Sequence, residues 1–306
     1  MQASDTEGIG SVQNSFIDGD EQLGELYLVA TPIGNLGDMT SRAISILKEV
    51  DLIAAEDTRQ TRKLLQVFDI PTKMTSYHEH NKGHKGEYIL QQLQAGKNVA
   101  LVSDAGLPGV SDPGSDIASL AIRANFKVIP IPGASASLTS LIASGIDTDR
   151  FLFYGFLDRH RSKRTKELQQ LKGLPFTLLF YESPHRIKET LQDLISVLGD
   201  RQASIGRELT KKYEQFIRGP LSFCQEIITS NKIQGEFTIV VTGASIEEQE
   251  AELLVAQWWT GLSIEEHVNK YIEQGEASGN AIKLAAKDRG VQKRAIYQQY
   301  HNIKEP

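Results

Sequence analysis

The chain is expected to be an α/β protein of two α/β domains followed by a small helical domain. Three features predict this. From Leu26, apolar runs alternate with helical patterns in the β-α-β-α rhythm of a parallel sheet covered on both faces. From Asp147, strand patterns follow one another with less helix between them, which favours a mixed sheet with antiparallel pairs. After Gly243 no strand-like run remains.

The first block predicts strands at Leu26–Ala30, Leu52–Glu56, Lys73–Tyr77, Val99–Asp104 and Lys127–Ile131. Its helices are expected at Thr40–Val50, Thr58–Phe68, Gly86–Ala95, Ser115–Ala124 and Ser135–Ser144. Thr40 is a suitable N-cap, and Ile44 and Leu47 are spaced for one buried face. The second block predicts strands at Phe151–Phe156, Phe176–Tyr181, Ala203–Glu208, Glu214–Gly219 and Phe237–Thr242, with helices at Ser162–Leu171, His185–Leu198 and Leu221–Ser230. The last block opens with an acidic helix, Glu247–Trp259. Ser263 then stands three residues before Glu266, the spacing of a capping box. Two further short helices are expected at 278–290 and 292–303. Six Lys or Arg against one Asp between Lys283 and Lys304 suggest a helix-turn-helix; a helical cap that completes a dimer or covers a core edge fits equally well. The expected organisation is an acidic disordered arm (1–24), α/β domains at 25–146 and 147–244, and a helical tail at 245–306.

Composition narrows the class. The 306 residues include a single cysteine, Cys224, and no HExxH or paired Cys/His spacing, so neither a disulfide framework nor a metal centre is expected. No apolar run approaches a membrane span and no signal-peptide pattern opens the chain, so a cytoplasmic protein is expected. Net charge is −6, but six acids and no Lys or Arg fall within residues 1–25. The rest carries 33 acidic and 33 basic side chains and is neutral.

Three Gly/Pro-rich loops, "ATPIGNLGD" (30–38), "VSDAGLPGVSDPG" (102–114) and "PIPGASAS" (130–137), each follow a strand and lead into a helix. In an α/β sheet ligands sit beyond the carboxyl ends of the strands. Glycine permits close backbone approach, and proline fixes the chain without offering a donor. Such walls suit a flat ligand held by main-chain amides. No GxxxxGK[ST] occurs and none of the three loops holds a lysine, which argues against a polyphosphate; the absence of GxGxxG argues against a dinucleotide.

These loops, together with "AAEDTR" (54–59), "FYESPHR" (180–186) and "GEFTIVV" (235–241), closely resemble the S-adenosylmethionine-dependent methyltransferases of the tetrapyrrole methylase superfamily (class III methyltransferases). The most similar branch methylates the ribose 2′-hydroxyl of a cytidine in small-subunit (16S) ribosomal RNA. The resemblance covers residues 25–244 and implies a homodimer with S-adenosyl-L-methionine held in a cleft between the two α/β domains. Its wall would come from Pro32, from Asp104, Ala105, Gly106 and Leu107, from Ser135 and Ala136, and from Tyr181 with the strand ending at Val241. The implied substrate is small-subunit ribosomal RNA, within the assembled 30S subunit.

A ribose hydroxyl is a poor nucleophile until deprotonated, so a general base is sought. Glu56, Asp57 and Glu182 are the candidates, with Asp112 beside them; each can equally form a structural pair with a nearby arginine. Arg59, Arg62 and Arg186 follow those acids and can grip phosphates bidentately. The segment "DRHRSKRTKELQQLK" (158–172) supplies Arg159, Arg161, Lys163 and Arg164, an RNA track or a solvated helix face. Tyr77, His78 and His80, beside Lys82 and Lys85, offer stacking surfaces and donors to RNA. Two alternatives stay open: methylation of a tetrapyrrole or other small acceptor, and a non-catalytic RNA-binding ribosome-assembly factor. A nucleotide-dependent oxidoreductase lacks its fingerprint.

Overall fold

The structure is a computed structural model that describes residues 12–14, 23–112, 114–250 and 258–301. Most of the expected acidic arm and the middle of the expected helix Glu247–Trp259 lie outside the described residues. Contacts divide the chain into two compact units, residues 1–170 with 176–242 and residues 171–175 with 243–306.

The first unit contains two sheets. In one, β1 (Leu26–Val29), β2 (Leu52–Ala55), β3 (Met74–Ser76), β4 (Val99–Val102) and β5 (Val128–Ile131) run parallel in the order β3-β2-β4-β1-β5. Every residue of β2 and β4 is buried, which is why these strands read as continuous apolar runs rather than alternating ones. Ala43 and Leu47 of α1 (Ser41–Glu49) and Leu65 of α2 (Thr58–Val67) pack with Ile53, Ala55 and Val102. Ile89 and Leu93 of α3 (Lys82–Gln94) and Ile117 and Ala121 of α4 (Gly114–Arg123) pack with Ala54 and Leu101. Thr40 caps α1 by accepting a hydrogen bond from the Ala43 amide.

Helix α3 begins a turn earlier than its pattern suggests. Glycines at 83 and 86 weaken the helical signal, but Asn81 closes the preceding turn on the His78 amide and Lys82 is tied to Asp116 at 2.6 Å. Tyr77 is 1% exposed and belongs to the core, so it offers no stacking surface. Lys85 donates to Thr75.

In the second sheet β6 (Phe151–Phe156), β7 (Thr177–Glu182), β8 (Gln202–Arg207), β9 (Gln215–Pro220) and β10 (Phe237–Val241) take the order β6-β7-β10-β8-β9. Only β6 and β7 pair in parallel; the other neighbours are antiparallel. Helix α5 (Ala136–Ile142) leads from the first sheet toward the second, while α6 (Arg161–Leu171), α7 (Ile187–Leu198) and α8 (Leu221–Ser230) join the strands of the second. Arg164 of α6 is 1% exposed; its guanidinium donates to Asp193 of α7 at 2.7 and 2.9 Å. Arg161 holds the other Asp193 oxygen at 3.0 Å. The most basic run of the sequence is thus anchored by a buried ion pair.

The second unit contains α9 (Ile264–Glu273), α10 (Ser278–Asp288) and α11 (Lys293–Tyr300) around Val268, Ile282, Ala285 and Ile296. The capping box on Ser263 and Glu266 forms reciprocally, at 3.1 and 2.8 Å. His267 is fully buried, accepts from Arg289 and meets Asp288, and burial holds its pKa below the ordinary histidine value. Among the described residues no helix is long and apolar enough to cross a membrane, and no three His, Cys, Asp or Glu are arranged to hold a metal ion.

Because Asp193 is itself 2% exposed, removing its closest partner leaves a buried carboxylate with only Arg161. Arg164→Ala is expected to lower the unfolding free energy by about 3 kcal/mol. Lys163→Ala, which removes a solvent-exposed pair at 3.7 Å to Asp158, is expected to cost under about 0.5 kcal/mol. Denaturant unfolding of the two variants measures the contrast; equal losses would contradict it.

Candidate functional site

At the carboxyl ends of β1 and β4 the strand order of the first sheet reverses, the place where open α/β sheets bind ligands. The loops that leave these strands are joined there. Thr31 and Gly106 exchange two main-chain hydrogen bonds, at 2.9 and 3.1 Å, and the Thr31 hydroxyl donates to the Ser103 carbonyl. Gly106 has φ +80°, a left-handed conformation costly for any side chain, and Ile33 and the Ala134 carbonyl lie about a contact distance from where a Cβ would stand. At Gly133 a Cβ would come within 2.7 Å of the Ala30 methyl, so the third loop packs directly on the first.

These three loops and one end of the second sheet enclose a cleft of about 490 Å³. That is within the roughly 300–1,000 Å³ usual for small-molecule sites. Ile33, Ser103 to Leu107, Ser135 and Ala136 line one side; Tyr181 to Pro184, Leu209 and Glu236 to Thr238 line the other. Tyr181 accepts a hydrogen bond from the Ser137 amide at 3.1 Å, linking β7 to the start of α5.

Of the expected wall, Asp104, Ala105, Gly106, Leu107, Ser135, Ala136 and Tyr181 all line the cleft. Pro32 does not; its neighbour Ile33 does. The strand ending at Val241 contributes its first residues, Phe237 and Thr238, rather than its last. The reason is direction: β10 is antiparallel to β7, so Phe237 pairs with Glu182 at the carboxyl end of β7. Ser111, Phe156, Pro184 and Leu209 were not anticipated. Gly155 held the one available signal for Phe156, since an isolated glycine in a strand often marks a bulge.

Five acidic residues, Glu56, Asp104, Asp112, Glu182 and Glu236, line this cleft, and no Lys, Arg or His lines it among the described residues. Glu236 is paired with Lys211 at 2.9 Å, and Glu182 lies 3.5 Å from Arg186. Among the described residues Glu56, Asp104 and Asp112 form no ion pair, and His78 is the one basic side chain acting on Glu56, as its smallest influence. Burial raises the pKa of Glu56 above the usual carboxylate value, and Asp104 and Asp112 add to the effect. Burial also raises Asp112, although one of its oxygens accepts from the Gly109 and Gly114 amides at 2.7 Å.

The three candidate bases separate by their partners. Asp57 caps α2 through the Arg59 amide and pairs with the Arg59 guanidinium at 3.0 Å, so it serves the helix start. Glu182 is 2% exposed and accepts from the Thr190 hydroxyl at 2.6 Å and the Ser183 amide at 2.7 Å, so its oxygens are occupied by the fold. Among the described residues Glu56 accepts only a long bond from the Asp104 amide at 3.4 Å. It is the carboxylate in the cleft least engaged by the fold.

The candidate phosphate contacts separate too. Arg164 is buried on Asp193 and leaves the track. Arg186 donates to the Leu157 and Asp158 carbonyls at 2.8 and 3.1 Å, fixing the segment after Phe156. Arg59 is highly exposed but held by Asp57. Arg62 is exposed on α2, and Arg159, Arg161 and Lys163 are exposed around the start of α6.

The family model for tetrapyrrole (corrin/porphyrin) methylases matches residues 25–223. Over 289 residues the chain is 53% identical to the ribosomal RNA small subunit methyltransferase I of Bacillus subtilis (strain 168), covering 94% of this chain and 98% of that protein. The protein of the same name from Synechocystis sp. (strain ATCC 27184 / PCC 6803 / Kazusa) is 46% identical, covering 90% and 97%. Among solved structures, a cobalt precorrin-4 methyltransferase of cobalamin biosynthesis superposes with a TM-score of 0.56 at 15% identity, covering 75% of this chain and 98% of that one. A diphthine synthase gives 0.57 at 15% identity, covering 74% and 94%. Identity this low speaks for the fold alone. With a family model over most of the chain and near full-length relatives at 53% and 46% identity, the chain belongs to the tetrapyrrole (corrin/porphyrin) methylase family, in its ribosomal RNA small subunit methyltransferase I branch.

Proposed function

We propose that this chain transfers the methyl group of S-adenosyl-L-methionine to the ribose 2′-hydroxyl of a cytidine in small-subunit ribosomal RNA. The observation that carries the choice of donor is the charge of the cleft: Glu56, Asp104 and Asp112 line it and, among the described residues, form no ion pair. A ligand bearing a sulfonium and an ammonium group offsets that charge, whereas a triphosphate would be repelled. Residues 103–107 and 135–136 line the cleft, and Ile33, Leu209 and Phe237 offer apolar contact to an adenosine. When bound, the donor supplies a methyl group on positively charged sulfur that leaves as a neutral thioether.

The protein's own share is alignment, exclusion of water and acceptance of a proton. Glu56 is our choice of proton acceptor, because burial and the neighbouring Asp104 and Asp112 raise its proton affinity and the fold leaves it lightly bonded. Asp104, its side chain held by the Asp57 amide at 3.0 Å, is placed to meet a cationic group. The relatives' names support RNA as acceptor, and the exposed Arg59, Arg62, Arg159, Arg161 and Lys163 suit phosphate contacts. The same reading takes the assembled small subunit as substrate, the cytoplasm as location and a homodimer as the working form. Leu138 and Ile142, exposed and four residues apart on α5, offer apolar area for self-association.

Methyl transfer from labelled S-adenosylmethionine to assembled small subunits lacking the modification, to free small-subunit RNA and to a tetrapyrrole precursor tests this reading. Label in RNA within an alkali-resistant dinucleotide is expected. Label in the tetrapyrrole alone would refute it, and binding of RNA without transfer would favour an assembly factor.

Glu56→Gln is expected to lower kcat by about 10²–10⁴-fold while S-adenosylmethionine still binds. The wild-type rate should fall on the acid side, as protons occupy the raised Glu56 carboxylate, and the variant should lose that limb. A pH–rate profile of both proteins measures this; an unchanged acid limb in the variant would assign the proton acceptor elsewhere.

A further inference from the structure

Phe156 is a large apolar side chain left 54% exposed, and it lines the cleft. Its placement follows from an irregularity in the strand that carries it. Strand β6 pairs with β7 in register up to Phe153, opposite Leu179, and the register then resumes with Gly155 opposite Phe180 and Phe156 opposite Tyr181. Tyr154 is therefore an extra residue, a β-bulge. Gly155 accommodates it with φ +81°, where a Cβ would stand 3.1 Å from the Ser111 hydroxyl.

The bulge changes which way residue 156 faces. In a regular strand, residues three apart point to opposite faces. Here Phe153 and Phe156 share the face of Leu179 and Tyr181. Their rings stand on Tyr181 edge-on, with centroids 4.8 and 5.6 Å away and interplanar angles of 64°. Phe153 is partly buried against Leu141, Leu179 and Val240, whereas more than half of Phe156 remains open. Basic side chains follow directly: Arg186 holds the carbonyls of Leu157 and Asp158, and Arg159 and Lys163 are exposed. An open aromatic face beside exposed cations is how proteins hold single-stranded nucleic acid, by stacking a base and contacting its phosphates.

On the RNA reading proposed above, we infer that Phe156 is the platform on which the base of the acceptor nucleotide stacks. The substrate then presents that nucleotide unpaired and swung out of its helix, with its ribose turned into the acidic cleft. A duplexed nucleotide has no free base face to offer and cannot reach the site.

The test compares Phe156→Ala, Phe156→Leu and Phe156→Trp in the full chain. Steady-state methylation of small ribosomal subunits or their RNA, calorimetric binding of S-adenosylmethionine and sedimentation are measured for each. The Ala and Leu variants are expected to lose about 5- to 100-fold in kcat/KM for RNA, chiefly through KM, the range that loss of one base–aromatic stack implies. The Trp variant should remain near wild type, and all three should bind S-adenosylmethionine and sediment as the parent does. A Leu variant as active as Trp would show that apolar bulk suffices and would overturn the inference. So would a change in oligomeric state that tracks the loss, which would make Phe156 part of a contact with a second copy, or a matching loss of cofactor binding. A wild-type protein that methylates no RNA would overturn the functional reading and this inference with it; wild-type methylation with unimpaired Ala and Leu variants would overturn this inference alone.

Discussion

Two main-chain hydrogen bonds between Thr31 and Gly106 join the loops that leave β1 and β4. They act where the strand order reverses and the sheet would otherwise splay its loops apart. Because both bonds run through the backbone, the wall they build needs little side chain. Gly106 supplies the left-handed turn, and Gly133 lets the β5 loop rest on Ala30. The second sheet closes the cleft through Tyr181, whose hydroxyl meets the Ser137 amide, and through the first residues of β10.

With the wall fixed in backbone, the chemistry of the cleft rests on a few carboxylates. Burial penalises the charged forms of Glu56 and Asp112, and the neighbouring Asp104 charge raises the proton affinity of both. Such an arrangement is costly for the protein alone and favourable once a cation shares the space. On the proposed function, that is the physical sense of an acidic, glycine-walled pocket. Asp57 and Glu182, equally acidic in the sequence, are instead used to cap a helix and to bind Thr190.

The parallel sheet was legible because strands covered on both faces must be apolar throughout, as β2 and β4 are. Thr40 and Ser263 were legible as helix starts because capping is local chemistry. What escaped depended on partners far along the chain. Arg164 looked like one more solvated cation until Asp193, 29 residues on, met it in the interior. Tyr77 looked available for stacking until helix packing buried it. Which end of β10 meets the cleft, Phe237 and Thr238, is set by its antiparallel pairing with β7 and not by composition. The bulge that turns Phe156 into the cleft is likewise a property of the β6–β7 register, hinted at only by Gly155.

The central claim is that three cleft carboxylates, none in an ion pair among the described residues, select a cationic methyl donor. Titration calorimetry of S-adenosylmethionine against ATP, two ligands that share the adenosine and differ in the sign of the rest, tests it directly. The account predicts saturable binding of S-adenosylmethionine and none of ATP at matched concentration. It also predicts that Asp104→Asn weakens the first without admitting the second. ATP binding as tight as that of S-adenosylmethionine would contradict it.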